Sequence, residues 1–185
     1  MRELLDWMRQ NPGLANAGSP GVGSPPHLIQ AMLYQQAGVA WQHIAFPGGP
    51  PAGTALLGGH IAAVALAEAP LRPHVASGKV RLMATSGARR SPAAPTAATL
   101  VEQGFPSMAI MDWFGFFAPG GASPAVVDTL VTKLRAVIDQ PSLASGLTET
   151  GLIPVSSTPA ALAARFAADK LFWDPVIRAN NIRIE

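Results

Sequence analysis

The sequence predicts an α/β chain with a mostly parallel sheet, and three observations carry that prediction. Helical and extended segments alternate through the first half of the chain. Residues 61–66 form a continuous apolar run, the mark of a strand buried in a parallel sheet. Past Met111 the pattern turns mainly helical.

The elements follow in order. Residues 3–10 carry Leu4, Leu5 and Met8 at helical spacing and stop at Asn11-Pro12-Gly13. Residues 15–18 read as a short strand that runs into Gly18-Ser19-Pro20-Gly21-Val22-Gly23-Ser24. Ser24 stands as an N-cap, and Pro25 and Pro26 fit the first turn of a helix, where a missing N–H costs nothing. That helix turns Leu28, Ile29, Met32 and Leu33 inward and ends near Gly38. A strand over 41–46, a turn at Pro47-Gly48-Gly49-Pro50 and a helix through Leu57 follow. After the run at 61–66 come a helix over 70–76 and a strand over 80–85. A loop spans 87–95, and residues 100–103 suit a short helix.

Residues 111–118 read as an aromatic strand with Trp113, Phe114, Phe116 and Phe117, expected to be covered on both faces. Three helices then open at Ser123-Pro124, Pro141 and Thr158-Pro159. The first of them presents Val127, Leu130, Leu134 and Ile138 to the same core. A lobe boundary is expected near Met111, with residues 1–111 on one side and 112–185 on the other.

The chain has 185 residues, 49% of them apolar and 13% charged, which suits a globular fold with a real core. Its net charge is +2, with no block of Lys and Arg and no basic residues interleaved with aromatics, so no nucleic-acid partner is expected. Without cysteine there is no disulfide, thiolate metal site or thiol nucleophile. The opening MRELLDWMRQ is amphipathic and charged, unlike a signal peptide, and the apolar stretches are too short to cross a bilayer. As written, the chain is expected to stay in the cytosol.

Catalytic constellations are not evident. His27, His43, His60 and His74 are scattered, and no G-x-S-x-G elbow occurs. Before residue 110 the carboxylates are only Glu3, Asp6, Glu68 and Glu102. No enzyme activity, metal or cofactor is therefore expected. The loop from Ser19 to His27 is more informative. Its glycine N–H groups, its serine hydroxyls and the helix start behind it suit a carboxylate or phosphate. The same residues also suit a plain helix cap with a Pro-stiffened approach, which local physics alone favours. The turn at Phe46, Pro47, Gly48 and Gly49 has the same two readings, and it lies where ligands of open α/β sheets gather.

Several strings in this order resemble the Bug family of solute-binding proteins, the receptors of tripartite tricarboxylate transporters. They are N-P-G-L at 11–14, G-S-P-G-V-G-S-P-P-H-L at 18–28, L-L-G-G-H at 56–60 and P-H-V-A-S-G-K-V-R at 73–81. R-R-S-P at 89–92 and W-F-G-F-F-A-P-G at 113–120 complete the set. The resemblance implies a periplasmic-binding-protein-like α/β fold of type II. Residues 1–111 would be the nearly complete second lobe, and 112–185 the C-terminal part of an incomplete first lobe. It implies a periplasmic receptor that passes a small organic carboxylate to integral membrane subunits, without cofactor or metal.

By position, the resemblance makes Ser19, Gly23, Ser24 and His27 ligand-binding, together with Phe46, Gly48, Gly49 and Ala67. Two departures accompany it. Phe46-Pro47 stands where the family usually has Tyr-Lys, so a lysine is lost, and residues 65–67 lack the polar group many relatives carry. The family also begins with a signal peptide and half of the first lobe, so a truncated chain is expected. Its apolar face would be exposed and prone to self-association. The alternatives are a non-binding fragment or interaction module built on that face and, further off, an enzyme on the same fold.

Overall fold

The computed structural model describes residues 1–149 and 151–183. The described residues form ten α-helices and β-strands. They are α1 (Arg2–Gln10), β1 (Asn16–Ser19), α2 (Pro25–Gln36), β2 (Gln42–Ala45), α3 (Gly49–Leu57), β3 (Ala63–Val64), α4 (Arg72–Ala76), α5 (Pro124–Ile138), α6 (Pro141–Glu149) and α7 (Pro159–Ala179). Contacts divide the chain into two compact units. One is Met1–Asp112 with Trp173–Glu185, and the other is Trp113–Phe172.

In the first unit, three parallel strands lie in the order β2-β1-β3. β1 is central, and its residues Ala17, Gly18 and Ser19 are buried. Each β–α–β step returns the chain to the same sheet direction, as the alternation of elements requires. Gly18 sits where β1, β2 and β3 crowd together. A Cβ there would lie 2.7 Å from Ile61 Cδ1 and 3.0 Å from Phe46 Cε2. Its carbonyl accepts both the Ala65 N–H, at 3.1 Å, and the amide of the buried Gln30 side chain, also at 3.1 Å. Asn16 Oδ1 accepts the Ala62 N–H at 2.8 Å and so aligns the approach to β3.

The core gathers Leu5 and Met8 of α1, Met32, Leu33 and Tyr34 of α2, and Leu100, Met108 and Ile110. Leu5 and Met8 are three residues apart, so one face of α1 is buried. That helix ends where the Asn11 amide donates to Trp7 O at 2.9 Å. Arg9 donates to Ala37 O at 2.6 Å, placing a cation at the carboxyl end of α2. Trp173 and Val176, late in α7, pack against this core and belong to the first unit.

Three expected strands differ in the structure. The 61–66 run pairs regularly only over Ala63–Val64, because β1 offers four residues and Asn16 takes the Ala62 N–H with its side chain. Residues 80–85 yield a single parallel bridge, Thr85 to Thr99. There Gln103 Nε2 donates to Met83 O at 3.0 Å, so a side chain serves the backbone in place of a neighbouring strand. Residues 111–118 form no strand. Phe114, Phe116 and Phe117 are 81%, 71% and 69% exposed, since nothing in the second unit covers them. The short helix expected at 100–103 is a turn, closed by a reciprocal pair in which Thr99 N–H donates to Glu102 Oε2 and Glu102 N–H to Thr99 Oγ1.

The second unit is helical. Ser123 caps α5 by accepting the Val126 N–H at 3.4 Å. Trp113 Nε1–H donates to Asp169, which also pairs with Arg165 at 3.2 Å. None of its described residues is buried.

Gly18→Ala should destabilise the first unit by about 1–2 kcal/mol, because the added methyl meets a buried isoleucine and a ring edge at once. Urea denaturation followed by tryptophan fluorescence measures it, and an unchanged midpoint would mean that Ile61 and Phe46 yield freely.

Candidate functional site

In a parallel sheet the segments leaving the carboxyl ends of the strands lie side by side. Here they are residues 20–24 after β1, 46–48 after β2 and 65–68 after β3. Two of them touch directly: the Gly48 N–H donates to Pro20 O at 3.3 Å. The Phe46 N–H donates to Ser19 O at 3.0 Å, extending the ladder to the last residue of β1.

The loop after β1 closes on one carbonyl. Gly21 O accepts the Ser24 hydroxyl at 2.7 Å, the Ser24 N–H at 3.3 Å and the Ser19 hydroxyl at 3.0 Å. Gly23 adopts φ 73°, a conformation that favours glycine, and so turns the chain into α2. Its N–H donates to His27 Nδ1 at 3.0 Å. Ser24 occupies the N-cap position with extended backbone, yet its side chain makes no cap bond. The reason is local. An N-cap oxygen serves the N–H of the second or third helical residue, and the second here is Pro26. The hydroxyl turns back to Gly21 instead, so the capping role expected of it is replaced by loop closure.

The same proline pairing recurs at α3. Gly48, at φ 106°, precedes it, and Gly49 is followed by Pro50 and Pro51. The first turn of α2 therefore offers only the N–H of His27, and that of α3 only the N–H of Gly49. Each adds the positive end of a helix dipole. Gly49 also borders a shallow depression of about 200 Å³, lined further by Gly53, Thr54, Leu66 and His74.

Beneath the loop lies an aromatic cluster. The rings of His27 and His43 are stacked, with centroids 3.5 Å apart and planes 5° from parallel. Trp41 sets its edge against both, and Tyr34 packs on Trp41 at 4.8 Å. His43 Nε2 lies 2.8 Å from Ser19 Oγ. Burial, and then the neighbouring His27, push the His43 imidazole down to about 4. Burial lowers His27 as well and raises the Tyr34 hydroxyl. Both imidazoles are thus neutral at neutral pH, and the site's donors carry no charge.

The residues singled out from sequence fall into three positions. Gly23 and Ser24 lie in the loop after β1 with His27 in the first turn of α2 behind it; Phe46 and Gly48 form the adjoining turn with Gly49 opening α3; Ala67 lies exposed after β3. Ser19 is 0% exposed, with its hydroxyl held by Gly21 and His43. The Phe46 ring lies over Gly18. At 65–67 only apolar side chains occur, and Glu68 Oε1 accepts the Ser91 hydroxyl at 2.7 Å. Sequence reasoning missed His43. Its only signal is the i, i+2 spacing of Trp41 and His43 at the start of β2, too short to stand out. Among the described residues no cluster of three His, Asp or Glu side chains could hold a metal ion.

Comparison with known proteins adds a further set of findings. The family model described as the tripartite tricarboxylate transporter family receptor matches residues 1–182. A UPF0065 protein from the gbd 5′ region of Cupriavidus necator is 34% identical over 83% of this chain and 46% of its own length. A solved periplasmic transporter superposes with a TM-score of 0.90 at 25% identity, over 100% of this chain and 62% of that one. An R. palustris protein solved with adipate gives a TM-score of 0.87 at 26% identity, over 98% of this chain and 61% of that one. The chain spans about half the length of the curated relatives it matches first, 52% and 46% of them.

Ser24→Ala removes one of three donors to Gly21 O and should lower the stability of the first unit by about 1 kcal/mol. Thermal unfolding measures it, and a loss near zero would mean that the Ser24 N–H and Ser19 hydroxyl hold the loop alone.

Proposed function

The chain belongs to the tripartite tricarboxylate transporter receptor family, and on that premise we propose that it is the ligand-holding part of a periplasmic receptor for a small organic carboxylate. Members of this family are receptors, not enzymes. The observation that carries the reading is the pairing of two helix starts, at His27 and Gly49, beside a glycine loop on the carboxyl edge of a parallel sheet. The adipate held by the R. palustris protein supports the ligand class.

Ligand capture is reversible and needs no cofactor. A carboxylate oxygen takes N–H groups from the backbone, and the helix dipoles favour its charge. Hydrogen bonds to an ionised acceptor are shorter and stronger than neutral ones, so few are needed. In this reading Gly23, Ser24, His27, Gly48 and Gly49 supply or shape the main-chain donors. Phe46 and Ala67 contribute apolar contact for the methylene portion. Ser19 acts from below, through the loop. The loaded receptor then delivers its ligand to the membrane subunits of the transporter.

Gly49→Pro tests the role of α3. Proline is tolerated at the first helical position, so the helix stays while its one free donor disappears. Adipate titrated into the chain at millimolar concentration should shift the amide resonances of Gly23, His27 and Gly49, and the variant should bind about tenfold more weakly, as expected for one charge-assisted bond. Shifts that miss this loop, or equal affinity in the variant, would overturn the assignment.

A second reading rests on the second unit. None of its described residues is buried, while Phe114, Phe116, Phe117, Val126, Phe166 and Leu171 are exposed. So many exposed large apolar side chains in one unit suit a surface that a partner covers. In this reading the chain is an interaction module that associates through residues 113–172. Light scattering should then give a mass above the monomer that rises with concentration, and amide exchange should be fast there but slow in β1 and α2. A monomer of constant mass, equally protected in both units, would exclude it.

A further inference from the structure

The aromatic cluster under the loop is unused by the ligand-binding reading above, and its geometry joins both ends of that loop. At the start, Ser19 Oγ lies between His43 Nε2, at 2.8 Å, and Gly21 O, at 3.0 Å. A hydroxyl has one proton, so when it donates to Gly21 O the imidazole donates to it. At the end, the Gly23 N–H donates to His27 Nδ1 at 3.0 Å. That bond requires an unprotonated Nδ1, with the ring's proton on Nε2. The two rings then lie face to face, with centroids 3.5 Å apart and 5° between planes.

We propose that His43 is a positioning residue of the ligand-holding loop: bonded to Ser19 and stacked on His27, it keeps residues 19–27 in their ligand-accepting shape while both imidazoles are neutral. The inference deepens the receptor reading and rests on it for the word ligand, while the coupling of the rings to the loop stands on contacts alone.

Nothing near the pair welcomes a proton. From α2 the cluster receives His27 itself and Tyr34, whose hydroxyl burial keeps protonated. From β2 comes His43, from the residue just before it Trp41, and from β1 the Ser19 hydroxyl. The influences on His43 are burial and His27, and on His27 burial; no carboxylate contributes to either. A charge on one ring therefore meets a close stacked ring and no counterion. A proton on His27 Nδ1 also sets an N–H against the Gly23 N–H and breaks the bond at the end of the loop.

The direction in pH follows. Both imidazoles lie below their usual value of 6.5, and His43 falls to about 4. The Gly23–His27 bond is complete above 6.5 and is lost as pH falls through the lowered range of His27, while His43 keeps its Nε2–H on Ser19 in either charge state and, toward about 4, adds its own charge to the stack. Acid releases the loop and, with it, the ligand.

The test uses the whole chain and two readouts. Imidazole and amide resonances are followed from pH 8 to pH 4, and adipate is titrated at about pH 7 and about pH 5. Both rings should titrate below the usual histidine range, with the Gly21 and Gly23 amides moving in the same step. Adipate affinity should fall more steeply toward the lower pH in the wild-type chain than in a variant without the stacked pair, a comparison in which the ligand's own protonation cancels. His43→Gln keeps a donor for Ser19 but removes the stack. It should raise the titration of His27 and flatten the dependence of affinity on pH. Rings that titrate normally with Gly21 and Gly23 unmoved would overturn the proposal, and the wild-type chain alone suffices to show it. The same adipate affinity and the same dependence on pH in the wild-type chain and in His43→Gln would overturn the positioning role and leave the receptor reading intact. Coupled ring and loop titration with no adipate binding at any pH would uphold the mechanical link and overturn the receptor reading.

Discussion

The first unit depends on the pairing of one four-residue strand with both its neighbours. β1 is the only strand in the sheet with a partner on each side, and it has no spare length. Gly18 O must serve both Ala65 and Gln30, and Ser19 O must serve Phe46. Everything at the carboxyl edge inherits its position from these bonds. The loop after β1 begins at a buried residue, and the turn after β2 is tied to it through Gly48 and Pro20. Such short ladders cannot hold a sheet by themselves, so α1 and α2 complete the core from one side with Leu5, Met8, Met32 and Leu33.

The second unit stands in contrast. Ser123 and Thr158 cap α5 and α7, but none of the unit's described apolar residues is buried and many face solvent. Helix formation is local and needs only good termini and a suitable chain, whereas a core needs opposed surfaces. Trp113, Arg165 and Asp169 supply one polar and aromatic anchor, with the Arg165 guanidinium 6.0 Å from the Trp113 ring. That anchor orders a strand-free segment against α7 without burying it.

The same division decides what the sequence could reveal. α1, α2, α3, α5, α6 and α7 are legible because proline, serine and glycine punctuate them and apolar spacing fills them. The expected strands at 61–66, 80–85 and 111–118 came out shorter or absent, because a strand exists only beside a partner far along the chain. At the site, the glycines and serines of the loop can be picked out from their types. Ser24 could have been read more closely: Pro26 removes one of the two N–H groups it would cap, and its hydroxyl closes the loop instead. His43 could not be read that way. Its stacking on His27 follows from the register that sets Ala17 opposite His43 and from the way α2 crosses the sheet.

The paired prolines at the starts of α2 and α3 bear on how fast a ligand can come and go. A helix start normally presents several unpaired donors, and water occupies them until a ligand displaces it. Here the rings of Pro25, Pro26, Pro50 and Pro51 replace those donors with hydrocarbon, so the rim offers water few N–H groups to bind. An arriving anion has little hydration to strip from the protein, and a departing one leaves few vacancies to rehydrate. Both barriers shrink together. On the receptor reading proposed above, such a rim favours rapid exchange over long residence.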